Sequence, residues 1–128
     1  MARILLAEDD PAVREFVRRA LVHSGHDVTA VDDGLGAVEA LTAGTFDLLI
    51  TDIVMPGMDG IALALKVSKD HPAMPILMMT GYAAERQRAH NLEALIHKVI
   101  AKPFTLREIC NAVAETLARR ASTPATAA

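Results

Sequence analysis

Apolar residues in this chain follow two periodicities that alternate along its length. Arg3–Ala7, Phe46–Thr51 and Pro75–Met79 are short, nearly continuous apolar runs, the pattern of strands buried on both faces. Asp27–Val31 and Lys98–Ala101 are shorter strands of the same kind. Between them the spacing becomes helical. Val13, Phe16, Val17, Ala20 and Leu21 recur through Ser24, with Asp10 as N-cap, Pro11 at the first helical position and Gly25 as the stop. A second helix opens at Gly34, carries Ala37, Val38, Ala40 and Leu41, and ends at Gly44. Ile61–Lys69 is a third, and Ala83–Asn91 a polar, weakly amphipathic fourth. The last follows Thr105, with Glu108 at the capping-box position and Ile109, Val113 and Leu117 on one face. Met55-Pro56-Gly57-Met58-Asp59-Gly60 is turn chemistry.

This alternation predicts an α/β domain with a five-stranded parallel sheet covered on both faces, and ligands beyond the carboxyl ends of its strands. The 128 residues fit one domain. It is read as residues 1–120, followed by a frayed Ala/Thr/Ser tail at Ala121–Ala128. Hydrophobic residues make up 52%, yet the only aromatics are Phe16, Phe46, Phe104 and Tyr82, so the core must be aliphatic.

A net charge of −3 supplies no global basic field, and neither nucleic acid nor a membrane surface is expected as a partner. The basic clusters at Arg18-Arg19, Arg86 to Arg88 and Arg119-Arg120 read as solvated helix faces. The single cysteine, Cys110, excludes an internal disulfide and reads as a buried structural thiol. His23, His26, His71, His90 and His97 show no metal-site spacing and read as solvated positions. No apolar stretch is long enough to span a bilayer, and the N-terminus lacks a signal-peptide pattern; a cytoplasmic protein is the expectation.

The candidate chemistry sits at strand ends. Glu8, Asp9 and Asp10 follow the first apolar run, Asp52 the Phe46–Thr51 run, and Lys102 the last run, just before Pro103. If these runs are neighbouring parallel strands, their exits converge and the carboxylates crowd one crevice with one lysine. Like charges that close repel, so the site calls for a divalent cation, and oxygen-only ligands favour Mg²⁺. Of the acidic trio, Asp10 is better explained as a helix N-cap than as a ligand.

The motifs Ile4-Leu5-Leu6-Ala7-Glu8-Asp9-Asp10, Asp52-Ile53-Val54-Met55-Pro56-Gly57-Met58-Asp59-Gly60, Met79-Thr80-Gly81 and Lys102-Pro103-Phe104 stand in order. Together they resemble the response regulator receiver domain of two-component systems, over about residues 2–119. The resemblance implies a CheY-like, flavodoxin-like (βα)5 doubly wound fold with strand order 2-1-3-4-5. It implies that Asp52 is the phosphoacceptor, a carboxylate nucleophile that forms an acyl phosphate. Mg²⁺ would be held by Asp9 and Asp52 directly, by Glu8 through water and by the carbonyl of Val54. The family often has Asp where Glu8 stands, and the longer side chain changes its reach.

Lys102 would hold a phosphoryl oxygen, aimed by a cis Lys102–Pro103 bond. Thr80 would be the switch hydroxyl, with Gly81 leaving room for the phosphoryl group. The output surface would be the fourth helix, fifth strand and last helix. Val99 departs from the pattern, because the family usually places Tyr or Phe there. Tyr82 either partly replaces that ring or is a plain loop residue. Val54 offers no hydrogen bond to an attacking water, so a long-lived acyl phosphate is expected.

The function implied is a stand-alone, single-domain response regulator in signal transduction. It would be phosphorylated by a histidine kinase or histidine phosphotransfer protein, with output through a phosphorylation-dependent protein partner. Asp52-Ile53-Val54-Met55-Pro56, Thr80-Gly81-Tyr82-Ala83 and Lys102-Pro103-Phe104 further resemble the CpdR-like subgroup of alphaproteobacterial cell-cycle regulators, whose members work with the ClpXP protease. In that reading Ala127-Ala128 is a degradation tag; otherwise it is a frayed end. A phosphorelay intermediate passing its phosphate onward is the alternative function. An Asp-nucleophile phosphatase would want a second Asp where Val54 stands, and a nucleotide-binding domain would want a Gly-rich fingerprint or phosphate loop that the sequence lacks.

Overall fold

The computed structural model describes residues 1–81, 87–88 and 96–122, the side chains of 119–122 excepted. Five parallel strands form one sheet: β1 (Arg3–Ala7), β2 (Asp27–Val31), β3 (Leu48–Asp52), β4 (Ile76–Thr80) and β5 (Lys98–Ala101), in the order β2-β1-β3-β4-β5. Four helices are described in full: α1 (Pro11–His23), α2 (Gly34–Ala43), α3 (Gly60–Asp70) and α4 (Leu106–Ser122). Gln87 and Arg88 are also helical; the rest of the helix expected at Ala83–Asn91, like Tyr82 and the tail from Thr123, lies outside the described residues. The strand order and the flavodoxin-like architecture agree with expectation.

Period-two alternation splits the core into two layers. Leu5, Ala7, Leu49, Ile76 and Met78 face one way and pack with Ala37, Leu63 and Val67 of α2 and α3. Ile4, Leu6, Leu48, Ile50, Leu77 and Met79 face the other and pack with Val17, Leu21, Ile109 and Val113 of α1 and α4. Because β1, β3 and β4 are covered on both sides, they read as continuous apolar runs rather than alternating ones.

The helix starts are fixed by side-chain caps. Asp10 accepts from the amides of Ala12 (2.9 Å) and Val13 (3.3 Å), Asp33 from Gly36 (2.7 Å) and Asp59 from Ala62 (2.9 Å). Thr105 and Glu108 form the reciprocal box, each accepting the other's amide at 3.1 and 2.9 Å respectively. After α1 and its C-cap Ser24, Gly25 takes φ +94°, the left-handed conformation in which a side chain is strained.

Several boundaries and environments differ from the sequence reading. β3 begins at Leu48, because Phe46 and Asp47 are engaged otherwise. The Arg3 guanidinium lies over the Phe46 ring at 5.3 Å, and an Asp47 carboxylate oxygen accepts the Arg3 amide at 2.8 Å. β4 begins after Pro75, which has no amide to give a ladder. Both strands run one residue further than expected, so Asp52 and Thr80 are strand residues. Phe16, placed on the buried face of α1, is 41% exposed and makes a tilted pair with Phe104, ring centroids 6.3 Å apart. His26 and His97 are not merely solvated: their Nδ1 atoms accept the amides of Ala2 (3.2 Å) and Ile76 (3.0 Å). The Cys110 thiol is half-buried, 3.4 Å from the Ser24 hydroxyl.

The approach of α3 to β3 has the tightest tolerance near the site. The Gly60 amide donates to the Ile53 carbonyl at 2.7 Å. A Cβ on Gly60 would overlap the Asp52 carbonyl oxygen and crowd Ile53 Cα at 2.9 Å. Both neighbours are backbone, so nothing nearby can swing aside. Gly60→Ala is expected to destabilise the domain by about 1–3 kcal/mol, read as a lower urea midpoint at unchanged m-value.

Candidate functional site

The exits of β1, β3 and β5 meet at one crevice because the register is parallel and nearly level. Ala7 pairs with Thr51, Asp52 with Met79, and Thr80 with Ala101. The residues at or just past those positions are Glu8-Asp9, Asp52, Thr80 and Lys102. Glu8 and Asp52 are buried and Asp9 is exposed. Each of the three carboxylates offers one oxygen within 4.8 Å of the others. Lys102 Nζ lies 2.7 Å from Glu8 Oε1 and 3.2 Å from Asp52 Oδ2. Its backbone leads into a cis Lys102–Pro103 bond, and its amide donates to the Thr80 carbonyl at 2.7 Å.

The remaining polar atoms are held as well. Asp52 Oδ1 accepts the Ile53 amide at 2.9 Å, and Glu8 Oε2 accepts the Asp10 amide at 3.1 Å. Arg14 Nη1 donates to the Glu8 carbonyl at 2.9 Å. Among the described residues, Thr80 Oγ1 is a buried side-chain oxygen with no hydrogen-bond partner. An unpaired buried hydroxyl is costly and asks for an acceptor.

The crevice opens into a cleft of ≈ 740 Å³. Its lining joins the acidic residues to an apolar set, Ala12, Val13, Phe16, Pro103 and Phe104. Val54, 55% exposed, stands at its rim with Gly81. Val99 lies on β5, 38% exposed, away from the cleft. Asp10 contacts Ala12 and Val13 as a cap, as expected, and its carboxylate is not in the close carboxylate group.

Burial raises Glu8 to about 7, against the hydrogen bonds from Lys102 and the Asp10 amide, while the Asp52 charge adds to the rise. Burial opposes charge on Lys102, yet Glu8 and Asp52 together outweigh it and hold the ammonium above its usual range. An all-oxygen set of carboxylates, two buried and one open to solvent, matches a hard divalent cation. The residues present therefore fit Mg²⁺.

A receiver-domain family model, described as response regulator receiver domain, matches residues 4–114. The chain belongs to the response regulator receiver domain family. Receiver domains are signalling switches of two-component systems, take phosphate from histidine kinases and bind Mg²⁺ at such an acidic pocket. This receiver is 44% identical to the response regulator receiver protein CpdR of Brucella abortus over 117 residues, 91% of this chain and 98% of that protein. Further curated relatives at 34% identity are longer, and the chain spans 48% of their length.

Among solved structures, a CheY-like receiver protein of Methanospirillum hungatei superposes with a TM-score of 0.89 at 27% identity, covering 97% of this chain and 99% of that one. TrrA of Thermotoga maritima, solved in complex with Mg²⁺–BeF, gives 0.82 at 28% identity, covering 91% and 99%. Among the described residues no helix is long and apolar enough to cross a membrane.

The receiver fold brings together Glu8, Asp9, Asp52, Thr80 and Lys102; Tyr82 lies outside the described residues. Sequence reading missed Arg14 and the Phe16–Phe104 wall. Arg14 carries no signal that separates it from Arg18 or Arg19, whose guanidinium groups pair with Glu15 on the helix surface.

The Glu8 environment has a pH signature. With the cation absent, folding favours the protonated carboxyl. Its contribution to stability is complete below pH 4.5 and is lost as pH rises through about 7. Comparing Glu8→Gln with the parent by urea denaturation across that range should show a difference that changes by on the order of 2 kcal/mol, the parent losing ground as pH rises.

Proposed function

We propose that this receiver accepts a phosphoryl group on Asp52 from a histidine kinase or histidine phosphotransfer protein, with Mg²⁺, and converts the modification into a changed protein-binding surface. The observation that carries the reading is the meeting of Asp52, Lys102 and the Glu8–Asp9 pair beside a buried hydroxyl, Thr80 Oγ1, that lacks a partner.

Asp52 is half-restrained: the Ile53 amide fixes Oδ1, leaving Oδ2 toward Lys102. An Asp52 oxygen forms the new O–P bond as the donor's P–N bond breaks, and the imidazole leaves with the electron pair. Asp9 and Asp52 would hold Mg²⁺, with Glu8 acting through water and the Val54 carbonyl completing the set, and the ion would supply positive charge to the transferring phosphoryl oxygens. Lys102 exchanges its ion pair with Asp52 for one with a phosphoryl oxygen while keeping Glu8. The TrrA complex with Mg²⁺–BeF supports this use of the same architecture. Val54 is apolar and positions neither an acid nor a water, which fits a switch rather than steady hydrolytic turnover.

Phosphorylation adds about two negative charges. The Thr80 hydroxyl then has an acceptor, and its movement carries the backbone that follows. Thr80 is also tied to β5 through the Lys102 amide, so the disturbance reaches β5 and α4 together. Val99 cannot make the large rotamer exchange of a ring. Output therefore rests on backbone displacement and a shifted conformational equilibrium.

Acetyl phosphate with Mg²⁺ should add one phosphoryl group to the parent and none to Asp52→Asn, read by intact-mass spectrometry. Undiminished labelling of Asp52→Asn would overturn the assignment.

The output we favour is regulated proteolysis through a ClpXP-type protease, supported by 44% identity along nearly the full length of CpdR. Asp52→Asn should change the half-life in cells after synthesis is blocked; an unchanged half-life removes this output and leaves the switch intact.

A further inference from the structure

Glu8 is where β1 gives way to the acidic loop, and each of its polar groups is engaged. Its amide donates to Val31 O at 3.1 Å, Oε1 accepts from Lys102 at 2.7 Å, Oε2 accepts the Asp10 amide at 3.1 Å, and the carbonyl accepts from Arg14 Nη1 at 2.9 Å. Both side-chain contacts sit on the Glu8 carboxylate, which itself belongs to the cation site. The Val31 contact continues the β1–β2 ladder and forms whatever the loop does. The Arg14 contact holds the main chain of the loop without drawing on that carboxylate.

Arg14 is half-buried in the first turns of α1 and reaches back past Asp10, which caps that helix. The Glu8 carbonyl and the Asp9 amide share one rigid peptide plane. Pinning the carbonyl therefore sets the direction in which the chain enters Asp9. We propose that Arg14 is a positioning residue for the cation site, holding the Glu8–Asp9 peptide so that the Asp9 carboxylate is already aimed at Asp52 before a cation arrives. Asp9 is exposed, unlike the buried Glu8 and Asp52, so its aim depends more on its backbone than on its surroundings. The inference rests on the Mg²⁺ reading of the acidic pocket.

The test compares the parent with Arg14→Ala, Arg14→Lys and Asp9→Ala. Mn²⁺ binding is followed by the loss of the free-ion paramagnetic resonance signal, and Mg²⁺ dependence by acetyl phosphate labelling. Arg14→Ala should bind Mn²⁺ about tenfold more weakly and need about tenfold more Mg²⁺ for half-maximal labelling. Its maximal labelling rate should fall by no more than roughly twofold, the pattern of a lost metal-site support rather than lost chemistry. Arg14→Lys keeps a cationic donor on a long stem and should recover most of the affinity.

A helix-anchoring role alone would lower the urea midpoint without moving Mn²⁺ affinity. If Arg14→Ala binds Mn²⁺ like the parent while Asp9→Ala does not, the positioning role fails and the cation site stands. If Asp9→Ala also binds like the parent, the cation reading itself fails. Should Arg14→Ala not fold, Arg14→Gln takes its place, and parental Mn²⁺ affinity in that variant overturns the proposal equally.

Discussion

The ammonium of Lys102, set between Glu8 at 2.7 Å and Asp52 at 3.2 Å, is the contact on which the site depends. It ties the exits of β1, β3 and β5, which lie far apart in sequence. Without a counter-charge, two buried carboxylates and a third beside them would repel and be driven toward protonation. Lys102 relieves part of that repulsion, yet burial, with a smaller addition from the Asp52 charge, still holds Glu8 above the usual carboxylate range. Such a carboxylate set suits a small divalent cation. Removing one partner of such a buried pair leaves a charge without compensation, so the arrangement tolerates exchange of partners better than loss of one.

That contact is connected to the scaffold by short main-chain links. The Lys102 amide is bonded to the Thr80 carbonyl, and the Ile53 amide holds Asp52 Oδ1 while the Ile53 carbonyl receives the Gly60 amide. Asp59, next to Gly60, caps α3 with one oxygen and pairs with Arg88 at 3.1 Å with the other. The pair is exposed and contributes little stability by itself. It nonetheless joins the start of α3 to residues beyond Thr80. The packed aliphatic layers beneath transmit displacement rather than absorb it, because close-packed interiors deform little. A change at Asp52 therefore has direct physical routes to β4, β5 and α4.

Sequence patterning carried the architecture because its signals are local. Continuous apolar runs, helix caps at Asp10 and Thr105, and the stop at Gly25 each follow from the chemistry of a few adjacent residues, and the structure reproduces them. The boundaries that moved did so for non-local reasons. Phe46 and Asp47 are drawn out of β3 by Arg3, a residue of another strand. Phe16 leaves the buried stripe of α1 to meet Phe104. His26 and His97, unremarkable in sequence, accept amides at the starts of β1 and β4.

The candidate site divides along the same line. The acidic pair, Asp52 and Lys102 were legible because each follows an apolar run, and parallel strands must bring such ends to one side of the sheet; Thr80 was legible only through the family resemblance. The sequence by itself thus determined that the acidic residues and the lysine meet. It did not determine the terms of their meeting. That Glu8 is buried and paired with Lys102 while Asp9 stands open, that Thr80 keeps an unpaired hydroxyl, and that Arg14 alone among its neighbouring arginines turns toward the acidic loop were decided by tertiary packing. Burial, partner choice and the resulting proton affinities depend on the three-dimensional neighbourhood of each group, and a linear pattern of residues does not encode that neighbourhood locally.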